Sequence, residues 1–83
     1  MQAKEIEQLI ETHLPQAKAY VEGDGTHFTA LVVSPHFTHL SRLRKQQMVY
    51  ETVKSHLLDG RLHALSIKAI TPEEWENLNH DSL

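Results

Sequence analysis

Histidine is the residue type in this sequence whose abundance points most directly to chemistry. The chain has seven histidines and no cysteine. Imidazole nitrogen is a good ligand for iron and zinc, whereas disulfide scaffolds, cysteine zinc sites and thiolate nucleophiles all require cysteine. An iron-sulfur cluster ligated by this chain alone is excluded for the same reason. Any metal chemistry here therefore uses nitrogen or oxygen donors.

Two histidines, His27 and His63, lie where a strand is expected to begin. His27 follows a predicted tight turn, and such hairpin ends are exposed and often functional. Spacing alone also fits structural roles for both, because His63 could be a partly buried strand histidine bonded to the backbone and His27 could pack or cap the turn. Both residues are candidate metal ligands with that structural alternative open.

A second histidine pair, His36 and His39, is three residues apart and resembles half of a zinc site. No second pair at zinc-finger spacing accompanies it. The pattern therefore favours an exposed loop over a metal site.

The charged residues are segregated along the chain. Residues 1–30 have two lysines against five carboxylates, residues 42–68 have six cations against two carboxylates, and the remaining tail has four carboxylates and no cation. Arg42, Arg44 and Lys45 fall in the first turn of a predicted helix, whose dipole favours anions, so phosphate contacts there are physically sensible. The block predicts either an anion-binding or nucleic-acid-binding surface or an ordinary solvated helix face.

The periodicity of apolar residues predicts an α+β fold with the order helix, strand, strand, helix, strand, helix. The predicted elements are helix 3–14, a hairpin of strands near 17–22 and 27–34, a loop over 36–40, helix 42–58, strand 62–70 and helix 72–79. Apolar stripes on these elements, together with Trp75, are expected to form the core.

The start of the last helix is the best-specified boundary. Thr71 is the predicted N-cap, Pro72 occupies the first helical position and Glu74 completes a capping box. A strand, a long helix and a second strand favour parallel pairing of the two strands they contain. The sheet is therefore predicted to be mixed, with an antiparallel hairpin and a parallel third strand.

Length and composition set the remaining limits. With 83 residues, the chain is expected to form one domain over 1–83. Its apolar runs are too short to span a bilayer, and its first residues lack the order of an export signal, so we expect a cytoplasmic protein with no membrane contact. No serine, histidine and carboxylate arrangement suggests catalysis, and we expect a protein that is not an enzyme.

Several motifs occur in an order that resembles the BolA family. They are His27-Phe28 after a glycine turn, Arg44-Lys45-Gln46-Gln47 followed by Val49-Tyr50, Gly60, His63-Ala64-Leu65 and Thr71-Pro72-Glu73-Glu74-Trp75. The run at 44–47 is more similar to the IbaG branch of that family than to its BolA branch. The resemblance covers roughly residues 20–76, and its specificity comes from the combination of motifs.

The resemblance implies a fold and a set of partners. The implied fold is a small KH-like domain of type II with a three-stranded mixed sheet. The implied partner is a monothiol glutaredoxin of the Cys-Gly-Phe-Ser type that shares a bridging [2Fe-2S] cluster and glutathione, and some family members are DNA-binding transcriptional regulators. In this resemblance His63 matches the cluster-ligating histidine. The resemblance places the second ligand in the loop between the first two strands, where His27 is the candidate and Asp24 or another group is the alternative.

Overall fold

The fold is known from a computed structural model, which describes residues 2–58 and 64–81. The elements in chain order are α1 (Ala3–His13), β1 (Lys18–Gly23), β2 (His27–Val33), a 3-10 turn (Pro35–Phe37), α2 (Arg42–Leu58), β3 (Ala64–Ile70) and α3 (Pro72–Asp81). The predicted order and the bounds of the 42–58 helix are confirmed. Where the sequence predicted a loop, the structure has a short helical turn. In the described part of the chain, no helix has the length and apolar character that a membrane span requires.

The three strands form one mixed sheet in the order β1-β2-β3. The hairpin is antiparallel, with Lys18 opposite Val33, and β2 and β3 are parallel, with His27 opposite Ala64 and Val33 opposite Ile70. The predicted α+β architecture with a mixed sheet is confirmed, and it is compatible with a KH-like arrangement.

One face of the sheet forms the main core against α1 and α2. Alternate residues of β1 and β2 are buried, as the period of two in a strand requires. The fully or nearly buried members of this cluster are Ile6, Ile10, Leu14, Ala19, Val21, Phe28, Ala30, Val32, Phe37, Val49 and Val53. Both helices therefore depend on the sheet for most of their apolar contacts.

The 3-10 turn attaches the loop after β2 to this core. Phe37 is only 1% exposed, and Ser34 is the buried polar residue at the turn. The Ser34 hydroxyl accepts a hydrogen bond from the His36 N–H at 3.1 Å and contacts the Pro15 carbonyl at 3.5 Å. These contacts hold the chain in position for the start of α2.

The opposite sheet face carries a smaller apolar cluster, and this corrects one expectation. Val33 and Ile70 are buried but lie outside the main core, and they are neighbours in the β2–β3 register. Trp75 was expected in the core but is only partly buried, and its ring stacks on Tyr20 with centroids 5.1 Å apart. Tyr20 alternates with the core residues Ala19 and Val21, so the stack lies on the outer face, a placement that the helical period around Trp75 does not reveal.

Replacing Phe37 tests how firmly the 3-10 turn is anchored. We expect Phe37→Ala to lower the free energy of unfolding by about 3–5 kcal/mol, because it removes a fully buried aromatic ring and leaves a cavity. The measurement is urea denaturation followed by circular dichroism. His36→Ala, a change at the exposed neighbouring position, is the control and should alter stability by less than about 0.5 kcal/mol. Equal effects of the two substitutions would contradict the anchoring role of Phe37.

Candidate functional site

His27 lies at the beginning of β2, directly after the hairpin turn, and its side chain is exposed. Its backbone is held on both sides by Asp24. The His27 N–H donates to Asp24 Oδ1 at 2.8 Å, and the His27 carbonyl accepts from the Asp24 N–H at 3.2 Å. No described residue forms a hydrogen bond with the imidazole ring. The backbone of His27 is therefore fixed, while its exposed imidazole forms no hydrogen bond with the described residues.

Asp24 and the two glycines give the turn its shape. Gly25 has a φ of 96°, which side-chain-bearing residues rarely adopt. A Cβ atom at Gly23 would collide with the Phe28 ring and the His27 carbonyl. Asp24 Oδ1 also accepts the Thr26 N–H at 2.9 Å. Only small residues and a short side-chain acceptor produce this turn.

The carboxylate of Asp24, the alternative ligand, already has a structural role. The N–H groups of His27 and Thr26 stabilise its charged form and hold the pKa of Asp24 below its usual value. A carboxylate that accepts two backbone hydrogen bonds is committed to the turn. The imidazole of His27 forms no hydrogen bond with a described residue. The geometry therefore favours His27 over Asp24 as a metal ligand.

His63 lies outside the described residues. The register nevertheless relates its place in the sequence to His27, because His27 is opposite Ala64, the residue that follows His63 in the chain. The chain thus enters β3 at the same end of the sheet as the hairpin turn. Whether His63 and His27 approach one another stays a prediction.

The other described histidines are scattered. His36 and His39 are exposed, as the sequence predicted for this loop, and His13 Nδ1 lies 2.9 Å from the Leu9 carbonyl. His39 has a φ of 65°, a left-handed conformation that glycine adopts more easily. Among residues 2–58 and 64–81 no group of three or more histidines and carboxylates could hold a metal ion. The described residues therefore do not build a self-sufficient metal site.

The three cations in the first turn of α2 differ in their exposure and in their partners. Ser41 caps the helix, since its hydroxyl accepts the Arg44 N–H at 3.1 Å. Arg42 and Arg44 are exposed and form no ion pair with a described residue. Lys45 differs, because its side chain is only 17% exposed and its Nζ lies 4.0 Å from Glu74 Oε1. Two of the three predicted anion-binding cations are open to solvent, and the third has an internal partner.

Glu74 links the start of α3 to the start of α2. Its carboxylate accepts the Thr71 N–H at 3.0 Å, and its own N–H donates to Thr71 Oγ1 at 3.2 Å, which confirms the predicted capping box. The Thr71 backbone N–H is the main cause that lowers the pKa of Glu74, with smaller contributions from Lys45 and Lys68. The capping box was readable from sequence, whereas the contact with Lys45 required the tertiary fold.

Comparison with known proteins places these features in a family. The family model for BolA-like proteins matches residues 1–74. The chain is 41% identical over 75 residues to the acid stress protein IbaG of Escherichia coli K12, covering 90% of this chain and 89% of that relative.

Solved structures give the same result. A BolA protein homologue from Coxiella burnetii has a TM-score of 0.84 and 39% identity, covering 92% of this chain and 97% of the other. BolA1 from Arabidopsis thaliana has a TM-score of 0.72 and 29% identity, covering 87% of this chain and 93% of the other. The class is thus a small α+β domain with an exposed histidine at one end of a mixed sheet. The chain belongs to the BolA family and is IbaG-like within it.

The depressed carboxyl pKa values of Asp24 and Glu74 predict an acid dependence of stability. A carboxylate with a lowered folded-state pKa stabilises the fold above its unfolded value of roughly 4, and this contribution is lost as pH falls through the lower folded value. Wild type should therefore lose stability as pH falls below about 4. Asp24→Asn and Glu74→Gln should each flatten this dependence of stability on pH. Urea denaturation at several pH values measures the free energy of unfolding of each variant. Glu73→Gln is the matched control, and an equal flattening by this variant would contradict the assignment.

Proposed function

We propose that this protein is a non-catalytic partner of a monothiol glutaredoxin of the Cys-Gly-Phe-Ser type, and that the two chains hold a [2Fe-2S] cluster between them for iron-sulfur trafficking or iron and stress signalling. Membership of the BolA family supports the proposal. The single structural observation that carries it is the exposed imidazole of His27, which forms no hydrogen bond with a described residue and is held at the sheet end where the chain enters β3.

The donor set agrees with a shared cluster. A two-iron cluster requires four protein or thiol ligands, and a chain without cysteine supplies only nitrogen or oxygen. The described residues offer His27 but no group that could hold a metal by itself. A cluster divided between two proteins fits this incomplete set, whereas a metal held by the described residues alone does not.

The proposed division of ligands rests on the resemblance to the BolA family and agrees with the chemistry of the donors. His27 and His63 would bind one iron through imidazole nitrogen, and a glutaredoxin cysteine and glutathione would bind the other through thiolate. A bound cluster with two histidines on one iron has a higher reduction potential than one with four cysteines. The rigid turn around Asp24 would set the position of His27 before the partner arrives, which lowers the ordering cost of assembly.

Acid should weaken the assembly that we propose. Metal ligation requires neutral imidazole, so protonation competes directly with cluster binding. Protonation of all seven histidines would also change the formal charge from -3 to as much as +4. The name of the Escherichia coli relative, an acid stress protein, supports a pH-linked role for this chain.

Histidine substitution tests the proposed ligands. The chain is mixed with a monothiol glutaredoxin, iron, sulfide and glutathione, and the visible absorption and circular dichroism spectra of the heterodimer are recorded. We expect His27→Ala and His63→Ala each to abolish or reshape the cluster bands without unfolding the chain, because each removes one nitrogen ligand. His36→Ala, at an exposed position outside the proposed ligand set, should leave the spectrum unchanged.

Three results decide this test. Unchanged bands in both His27→Ala and His63→Ala would end the proposal for these ligands. Bands altered equally by His36→Ala would show that the effect is not specific. A far-ultraviolet spectrum that reports unfolding of His63→Ala would assign that histidine a structural role instead.

A second candidate function is nucleic-acid binding by a transcriptional regulator. It is favoured by the exposed pair Arg42 and Arg44 on the first turn of α2. The sequence contains no Gly-x-x-Gly, so the backbone clamp of nucleic-acid-binding KH domains is missing. If Arg42 and Arg44 contact phosphates, each should contribute roughly -0.9 to the slope of log affinity against log salt for duplex DNA. An unchanged slope in the double glutamine variant would remove this candidate.

A further inference from the structure

The two edges of the sheet are protected to different degrees. At β1, carboxylates from α1 cover the free edge, since Glu11 accepts the Ala19 N–H and Glu7 accepts the Val21 N–H, both at 2.9 Å. Uncovered strand edges are templates for pairing with another chain. The acidic residues of α1 therefore close one edge of the sheet.

The edge at β3 is more open. Among the described residues, Gln46 is the one side chain that hydrogen-bonds the β3 backbone, with its Nε2 donating to the Ile67 carbonyl at 3.3 Å. Backbone groups alternate in direction along a strand. The Ile70 carbonyl accepts the N–H of Ser34, which directly follows β2, so the Ile67 carbonyl, three positions earlier, faces away from β2. Leu65 and Ala69, two positions to either side, share that direction, and no hydrogen bond joins their outward backbone groups to another part of the described chain.

A groove runs along this open edge between α2 and β3. Two depressions adjoin one another there and share Gln46 and Ile67 in their walls. The first has four large apolar or aromatic side chains in its wall, with Gln46, Gln47, Glu51 and Ser66 between them: Leu43, Tyr50, Leu65 and Ile67. Leu43 and Tyr50 are 67% and 42% exposed, large fractions for such residues. This half of the groove provides apolar contact area beside a free strand edge.

The second half of the groove is cationic. Arg42, Lys45 and Lys68 line it, with Glu74 as the carboxylate among them. The Glu74 carboxylate lies against Lys45 at 4.0 Å and is 50% exposed, so an incoming carboxylate could reach the same cations. Glu74 therefore acts as an internal anion in a cluster of three positive charges.

We propose that the α2–β3 groove is a docking site for an extended acidic segment of a partner protein, which adds as a strand to β3 and competes with the Glu74 carboxylate for Lys45 and Lys68. Main-chain hydrogen bonds to the free edge supply affinity in such strand addition, and side-chain pockets supply specificity. Branched apolar side chains of the segment occupy the half of the groove that contains Leu43 and Tyr50, and its carboxylates occupy the cationic half. The site uses no cluster ligand and does not rest on the proposed cluster function.

Charge and chemistry favour this occupant over two others. A second copy of the chain, paired β3 to β3, would add the same excess of cations, Arg42, Lys45 and Lys68 against Glu74, to the interface, and it offers no acidic strand to neutralise them. A nucleic acid would satisfy the cations but would leave the free strand edge and the exposed Leu43 without complementary partners. An acidic peptide strand satisfies all three features of the groove.

The experiment uses the full chain without metal. The probe is a fluorescein-labelled synthetic peptide with a valine-rich half and a glutamate-rich half, and it is made in two versions, one with the valine-rich half first and one with the glutamate-rich half first. Fluorescence anisotropy measures affinity, with a lysine-for-glutamate peptide as the charge control. We expect Glu74→Gln to raise affinity about threefold, because it removes the internal competitor while glutamine can keep the capping box. Glu73→Gln, its neighbour outside the groove wall, should change affinity by less than about 1.5-fold.

A second pair of variants tests the cations. Lys68→Gln should lower affinity about threefold, and Lys18→Gln, the same change on the opposite edge strand, should leave it within about 1.5-fold. Nuclear magnetic resonance should show the largest amide shifts at Leu65 and Ala69 and none at Ala19 or Val21.

Each contrary outcome overturns the docking proposal. Equal responses to Glu74→Gln and Glu73→Gln would remove Glu74 as a competitor. Shifts confined to β1, or no binding by either peptide order, would remove the β3 edge. Tighter binding of a single-stranded oligonucleotide of equal charge, with the same response to Glu74→Gln, would assign the groove to nucleic acid. None of these results bears on the cluster, because no iron is present.

Discussion

The parallel pairing of β2 with β3 is the constraint on which the arrangement of both proposed surfaces depends. Because the strands run in the same direction, their amino ends meet at one end of the sheet and their carboxyl ends at the other. His27 and the entry to β3 share the first end, whereas the starts of α2 and α3 share the second. Seven paired residues separate the two ends by about 20 Å. His27 and the cationic half of the α2–β3 groove therefore lie at opposite ends of the sheet.

The register also explains why His27 can be both fixed and available. Antiparallel pairing with β1 forces the tight turn, and Asp24 stabilises that turn through backbone hydrogen bonds and not through the imidazole. Glu7 and Glu11 of α1 cover the outer edge of β1 further along the strand, at Val21 and Ala19. At the other end, the contact between Lys45 and Glu74 joins α2 to α3 and partly neutralises the cationic half of the α2–β3 groove.

Local sequence patterns predicted the elements well because the signals are local. Pro72, Thr71 and Glu74 specify the start of α3 through contacts within four residues, and the apolar stripe specifies α2. Contacts between distant elements were not predictable in this way. The hydrogen bonds from β1 to Glu7 and Glu11, the Lys45–Glu74 contact and the stacking of Trp75 on Tyr20 all depend on how the helices are placed on the sheet. The exposure of His27 was predicted from its turn, whereas the role of His63 stays a prediction.

We propose that imidazole nitrogen from this chain binds one iron of a cluster shared with a glutaredoxin. Pulsed electron paramagnetic resonance of the reduced cluster, assembled from unlabelled glutaredoxin and glutathione with this chain carrying ¹⁵N-histidine, measures this bond directly. We expect strong ¹⁵N hyperfine couplings from directly bound imidazole, with one coupling lost in His27→Ala. A cluster without ¹⁵N coupling from this chain would contradict it.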